Sequence, residues 1–196
     1  MLPNDSSHCS SYRTLFICNK IQVMTIILVL VSLTIFIAYN VFMCVKNGVP
    51  TSLSATYYEL PTKWRWLFTV FMWGIAMLLM PAWIDVANSF TDWRSNLTCL
   101  AFLTCALICF VGAAPNFRAF KLESDVHTIS ATASAVTAIV WCLVCGWNIM
   151  YVPIGSALVV FAIGLQSWTL SDCKVYWLEM MAFAATYSTV FISSLL

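Results

Sequence analysis

The chain has 196 residues, of which 62% are hydrophobic and only 9% are charged. Its mean hydropathy of +0.89 excludes a water-soluble domain, because a domain of this size cannot hide so much apolar surface. Nine Lys and Arg residues against eight Asp and Glu residues give a net charge of +1. This balance offers no extended basic surface for nucleic acid.

Six apolar runs follow in chain order, each long enough to cross a bilayer core of about 30 Å as a helix. Each run is expected to be helical, because backbone polar groups in lipid must be satisfied internally. The predicted spans are residues 24–44, 66–84, 97–114, 126–146, 150–168 and 175–196. The predicted fold is therefore all-α: one integral membrane domain over residues 1–196, folded as a bundle of six transmembrane helices.

The basic residues predict how this bundle lies in the membrane. The first, third and fifth connections meet at one face, which we call the odd-loop face. It carries six of the nine Lys and Arg residues: Lys46, Lys63, Arg65, Arg118, Lys121 and Lys174. Arg13, Lys20 and Arg94 fall toward the other face. The positive-inside rule then places the odd-loop face in the cytoplasm. With no other targeting signal, we expect a multi-pass protein of the cell membrane.

Tryptophans near the ends of the spans predict aromatic belts at both membrane surfaces, where amphipathic rings are preferred. They are Trp64, Trp66, Trp83, Trp93, Trp147, Trp168 and Trp177.

Polar residues gather at the odd-loop face and form the candidate site. Its members are His127, Asp125, Glu179, Glu123, Glu59, Asp172, Gln166, Tyr57 and Tyr58. The two tyrosines are interpreted as interface anchors or as contacts to a lipid head group. No cofactor is predicted.

Glu179 lies four residues into the last span, about 6 Å along the helix axis. An ionised carboxylate at that depth costs a few kcal/mol, so it should face the bundle interior and find a partner. His127, Lys174 and Gln166 are the candidate partners. The functional interpretation is a proton-linked or metal-binding carboxylate. The alternative is a side chain that reaches the interface or pairs with Lys174.

His127 follows Ser124 and Asp125, either of which could cap the fourth helix. This places His127 in the first turn, where it could act as an acid, a base or a metal ligand. Zinc sites usually contain several His or Cys ligands, so a metal at this single histidine stays an open question. A hydrogen-bonded structural histidine is the alternative.

Small residues recur along the fourth helix at four-residue spacing, at Ser130 and Ser134 and at Ala131 and Ala135. Such a face lets helices approach closely in lipid, and it predicts a central packing helix. The alternative is a small-walled cavity for a lipid chain.

Two further expectations concern the ends of the bundle. Pro50 and Pro61 bracket the first connection and predict an ordered segment that is partly re-entrant or lies on the surface. At the other face, Asp85 ends the second span, where a helix C-terminus disfavours an anion. We therefore expect Asp85 to pair with Arg94.

The segment Pro50-Thr-Ser52-Leu-Ser54 after the first span, with His127 and Ala131 opening the fourth helix, resembles a group of six-helix membrane proteins. These are the DRAM/Frag/Sfk-like integral membrane proteins and their uncharacterised bacterial relatives. The resemblance covers the helix count and these two short motifs. It implies an association with lipid handling or membrane trafficking, and no uniform activity. It also places the first connection on the non-cytoplasmic side, opposite to the side that the basic residues favour.

Three functions are compatible with these features. The favoured one is a lipid-associated or accessory membrane protein without enzymatic activity, whose partners are membrane lipid and either another protein or a second copy of the chain. The second is an intramembrane lipid hydrolase using His127, Asp125, Glu179 and Ser52 or Ser54. The third is a small proton-coupled transporter using Glu179.

Overall fold

The computed structural model describes the backbone of residues 6–167 and 169–196, and the side chains from residue 22 onward except at position 168. All regular secondary structure in this part of the chain is helical. The α-helices are α1 (Ser6–Asn47), α2 (Thr56–Glu59), α3 (Trp66–Asn88), α4 (Thr98–Ala113), α5 (Lys121–Cys145), α6 (Tyr151–Gln166) and α7 (Lys174–Leu195). Short 3-10 turns precede α3, α4 and α6, at Thr62–Trp64, Trp93–Leu97 and Trp147–Ile149. The all-α prediction is confirmed.

Five segments of the described chain are long and apolar enough to cross a membrane, as a polytopic membrane protein requires. They are Gln22–Asn47, Thr62–Asn88, Trp93–Ala113, Lys121–Cys145 and Lys174–Leu195. The predicted span 150–168 falls short, because α6 has only 16 residues. At a rise of 1.5 Å per residue its length is about 24 Å, less than the thickness of a typical bilayer core.

The five long helices form a ring. In this ring α1 packs against α3, α3 against α4, α4 against α5, α5 against α7, and α7 closes onto α1. Helix α6 packs against α7 outside the ring. The prediction that the fourth span (α5) is the central packing helix is wrong: 44% of the most apolar stretch of α3 is buried, compared with 28% for α5. The small side chains of α5 leave space inside the ring instead of filling it.

The tryptophans divide into an exposed group and a buried group. Trp64, Trp66, Trp93 and Trp147 are exposed, in agreement with aromatic belts. Trp83 and Trp177 are buried, so their assignment to a belt is wrong. Trp83 stacks on Trp141 inside the ring, with 5.5 Å between the ring centroids. Trp168 lies outside the described residues.

The first connection folds back into the ring. Helix α1 ends at Asn47. The next residue, Gly48, has a φ of +81°, the left-handed conformation that favours glycine after a helix. Residues 49–60 follow, and we call them the inserted loop. Three of its residues, Leu53, Ser54 and Thr56, are buried. The Thr56 hydroxyl donates to the carbonyl of Leu53 at 2.6 Å and accepts a hydrogen bond from Tyr39 at 2.7 Å. The prediction that the first connection is an ordered segment is confirmed.

At the other end of the ring the predicted pair of Asp85 and Arg94 does not form. Thr25 donates a hydrogen bond to Asp85, and Arg94 pairs with Asp92 at 2.9 Å. Arg94 pairs with Asp92 in place of Asp85 because Asp92 lies two residues from Arg94 and also accepts the Arg94 backbone N–H at 2.9 Å. These bonds to Arg94 lower the pKa of the exposed Asp92 carboxyl.

Candidate functional site

A cavity of about 90 Å³ lies inside the ring, between α3, α4, α5 and α7 and next to the inserted loop. It extends along α3 from Met72 to Leu79 and along α7 from Glu179 to Thr186, which is about 10 Å along each helix axis. Its wall is mostly apolar. Ser54 and Glu179 bring polar atoms to the end of the cavity near the odd-loop face.

The small residues of α5 form one wall of this cavity. Ala131, Ser134, Ala135 and Ala138 all line it. Their spacing of three and four residues places them on one face of the helix. The sequence favoured close helix packing for this face, and the structure instead has the alternative, a small-walled cavity.

His127 is buried, with 6% of its surface exposed, and both ring nitrogens are bonded. Nδ1 lies 2.9 Å from the carbonyl oxygen of Ala114, and Nε2 lies 2.8 Å from Oγ of Ser54. A carbonyl oxygen only accepts, so Nδ1 carries the proton that it donates to Ala114. In the neutral ring Nε2 is then the acceptor, and the Ser54 hydroxyl donates to it.

Aromatic rings connect His127 to two cationic side chains. Phe117 stacks on His127 with 4.6 Å between centroids, and Tyr58 packs edge-on against Phe117 at 5.2 Å. The guanidinium of Arg118 lies 4.4 Å from the Tyr58 ring centroid, and that of Arg65 lies at 5.7 Å. Both distances suit cation–π contacts. We call Tyr58, Arg65 and Arg118 the arginine cluster.

Among the described residues, Glu179 forms no hydrogen bond or ion pair with any of its predicted partners. Its Oε2 accepts the backbone N–H of Leu53 at 2.6 Å. The side chain is half-buried and lines the cavity. The inserted loop occupies the space that faces Glu179, so a backbone donor reaches the carboxylate in place of His127, Lys174 or Gln166.

The other predicted site residues are divided between bonded and exposed positions. Glu123 accepts the backbone N–H of Asn116 at 3.0 Å. Glu59 accepts from the Asn47 side chain at 3.4 Å, and partial burial raises the pKa of its carboxyl. Tyr57 packs edge-on against Tyr58. Asp125, Asp172 and Gln166 are exposed, and the structure does not bring them to the cavity.

Two details at the start of α5 differ from the prediction. The helix begins at Lys121, so His127 lies in its second turn and not in its first. Neither Ser124 nor Asp125 caps the helix: Ser124 already donates its backbone N–H to the carbonyl of Phe120 inside the helix. Among the described residues, no group of three or more His, Cys, Asp or Glu side chains is arranged to hold a metal ion.

Sequence reasoning missed several groups of the site. Phe117, which stacks on His127, has no role in the sequence-based predictions, in which Arg65 and Arg118 enter only through their charge. The run Asn116-Phe117-Arg118 before His127 was the available signal, since an aromatic and a cation beside a membrane span suit the lipid interface.

Comparison of the chain with protein-family models, with curated proteins and with solved structures finds no match. The resemblance to the DRAM/Frag/Sfk-like proteins therefore stays a prediction. The function has to be argued from the geometry of the site.

Proposed function

We propose that this is a six-span protein of the cell membrane that binds a glycerophospholipid, with the first part of an acyl chain in the cavity and the phosphate beside the arginine cluster. The observation that carries the proposal is the cavity itself. An apolar cavity of this kind takes apolar groups in preference to water, and the apolar groups available inside a membrane are lipid chains.

The polar end of the cavity supports an amphiphilic ligand. Ser54 lines the cavity and bonds to His127, and Phe117 and Tyr58 lead from His127 to the arginine cluster. Polarity thus increases from the cavity toward the odd-loop face, in the same order as it does along a phospholipid from acyl chain to phosphate.

The two arginines of the cluster are available for an anion. The ion pair found among the described side chains joins Arg94 to Asp92, and neither Arg65 nor Arg118 takes part in one. Nε of Arg65 is buried and has no hydrogen-bond partner among the described residues. A guanidinium binds phosphate through several N–H groups at once, so these two side chains suit a lipid phosphate.

The sixth crossing is assigned to α6 together with the turn before it. Trp147–Ile149 is a 3-10 turn, and Met150 has helical φ and ψ of −54° and −25°. The helical stretch from Trp147 to Gln166 is therefore about 20 residues long, enough to cross a bilayer with its flanking residues at the interface. Six crossings place both chain termini on one side of the membrane, and the basic residues favour the odd-loop face as the cytoplasmic one.

Native mass spectrometry in a mild detergent tests lipid binding. We expect a bound phospholipid in the wild-type protein, and loss of most of it in Ala135→Phe, because the new ring would fill the cavity. The matched control is Thr132→Phe, at an exposed position of the same helix, which should retain the lipid. Absence of lipid from the wild type, or equal retention by both variants, would contradict the proposal.

Head-group binding is tested separately by adding phosphatidylserine or phosphatidylcholine to delipidated protein. Arg65→Ala and Arg118→Ala should each weaken binding, while Lys121→Ala, at an exposed position, should not.

The number of crossings is tested with a C-terminal epitope tag in sealed vesicles: six crossings place it on the same side as an N-terminal tag, and five place it on the opposite side.

A further inference from the structure

We propose that Ser54 and His127 form a nucleophile and general-base pair that cleaves a carboxylic ester of the lipid in the cavity, transferring the acyl group to water. This inference rests on the proposed lipid binding and adds a reaction to it. The observation behind it is the bonding order around His127: a serine hydroxyl on one ring nitrogen and a fixed acceptor on the other.

The orientation of His127 is the first argument. The Ala114 carbonyl accepts the proton of Nδ1 and the ring stacks on Phe117, so the tautomer and the plane of the imidazole are both fixed. Nε2 is left as a base aimed at the Ser54 hydroxyl, 2.8 Å away. A nucleophile, a base in hydrogen-bond reach and a third group that orients the base are the arrangement that activates serine.

The position of Ser54 is the second argument. Its side chain is 6% exposed and lines the apolar cavity, so it lies between the base and the space assigned to an acyl chain. A structural histidine would be satisfied by any buried hydroxyl. Here the hydroxyl it bonds is also the one at the polar end of the cavity, where the ester of a bound phospholipid would lie.

The reaction balances with water as the only co-reactant. Ser54 Oγ forms a bond to the ester carbonyl carbon as its proton moves to Nε2 of His127. The tetrahedral intermediate collapses, the bond from carbon to the alcohol oxygen breaks, and His127 returns the proton to that oxygen. Water, deprotonated by the same nitrogen, then attacks the acyl-serine. The bond from carbon to Oγ breaks, Nε2 returns the proton to Oγ, and the fatty acid is released.

The inserted loop supplies a donor for the developing oxyanion. The backbone N–H of Ser54 has no hydrogen-bond partner among the described residues, and it belongs to the residue that makes the attack. A backbone N–H of the nucleophile itself is a known way to stabilise such an intermediate. The neighbouring N–H of Leu53 is held by Glu179, which keeps the loop in place while the Ser54 side chain reacts.

A long-chain alkyl fluorophosphonate, which phosphonylates activated serines, tests the pair on the purified full chain in detergent. We expect covalent labelling of the wild type, with the adduct located on Ser54 by peptide mass spectrometry. Ser54→Ala should abolish labelling. His127→Gln should slow it by about 100-fold or more, the usual contribution of a general base. Thr51→Ala, at an exposed position of the same loop, is the matched control and should label at the wild-type rate.

The wild-type experiment is decisive even if a variant fails to fold. An adduct elsewhere than on Ser54, or no adduct, overturns the inference. A parallel measurement of fatty-acid release from phosphatidylcholine in mixed detergent micelles should give release by the wild type and by Thr51→Ala but none by Ser54→Ala. Release that persists in folded Ser54→Ala also overturns it.

Lipid binding and catalysis fail in distinguishable ways. If native mass spectrometry finds a retained phospholipid and the probe does not label Ser54, the lipid-binding proposal stands and the catalytic pair is refuted. If the probe labels Ser54 at the same rate with short and long alkyl chains and no lipid is retained, the pair stands and the acyl-chain assignment is refuted.

Discussion

Replacement of Glu179 by alanine should destabilise the protein by about 2 kcal/mol. The carboxylate accepts the backbone N–H of Leu53 at 2.6 Å, and Leu53 is 2% exposed. Alanine leaves this N–H without an acceptor in a place that water reaches poorly. A buried donor without a partner costs about 1–3 kcal/mol, and the inserted loop also loses a tie to α7.

Glu179→Gln separates the hydrogen bond from the charge. The amide oxygen of glutamine can still accept the Leu53 N–H, and the cost of holding a carboxylate inside the membrane, about 3 kcal/mol on insertion scales, no longer applies. We therefore expect Glu179→Gln to lie within about 1 kcal/mol of the wild type or to be more stable.

Unfolding in mixed detergent micelles, followed by the reactivity of the buried Cys105, Cys142 and Cys145, measures these differences. Asp172→Ala, at an exposed position of the same face, is the control and should change stability by less than about 0.5 kcal/mol. The reasoning fails if Glu179→Ala is as stable as this control, or if glutamine destabilises as much as alanine.

Three further predictions concern packing and the thiols. Gly112→Ala should destabilise the contact between α3 and α4 by about 1–3 kcal/mol, because an added Cβ would lie 2.9 Å from a side chain of α3. The control Gly74→Ala should be tolerated, because its added Cβ meets nothing within 4 Å. Equal unfolding free energies of the two variants would contradict this prediction. Tyr187→Phe should cost about 1 kcal/mol, because the Tyr187 hydroxyl bonds to the buried Ser32 at 2.6 Å; unchanged unfolding would refute it. Burial raises the pKa of the Cys173 thiol, and the thiolate is the reactive form, so its alkylation by iodoacetamide should be slow at pH 7 and keep rising above pH 8.5 or so; a plateau below that pH would refute it.

Hydropathy predicts the long helices because lipid imposes one strong rule, which is that apolar runs of sufficient length become helices. It does not predict where a helix stops within such a run. The fifth run, 150–168, is mostly apolar, yet α6 covers only Tyr151–Gln166 of it. Local backbone geometry, which hydropathy does not encode, accounts for this difference.

The members of the site were easier to predict than their partners. His127 and Glu179 stand out because polar groups are rare in membrane spans. Their partners include the carbonyl of Ala114 and the N–H of Leu53. Every residue has such backbone groups, so only the three-dimensional path of the chain selects these two. The alternative of a proton-coupled transporter using Glu179 stays a hypothesis.

The inserted loop is held through two consecutive residues by two different helices. Glu179 of α7 binds the backbone of Leu53, and His127 of α5 binds the side chain of Ser54. The two bonds differ in kind. A backbone N–H cannot turn away from its acceptor without moving the loop, whereas a serine hydroxyl can rotate to a new partner about a single bond. The bond from Leu53 therefore fixes the position of the loop, and the bond from Ser54 can open toward a ligand in the cavity while that position is kept. A site that anchors its loop through the backbone and leaves the adjacent hydroxyl able to exchange partners is suited to chemistry at Ser54, and less suited to a purely structural role for His127.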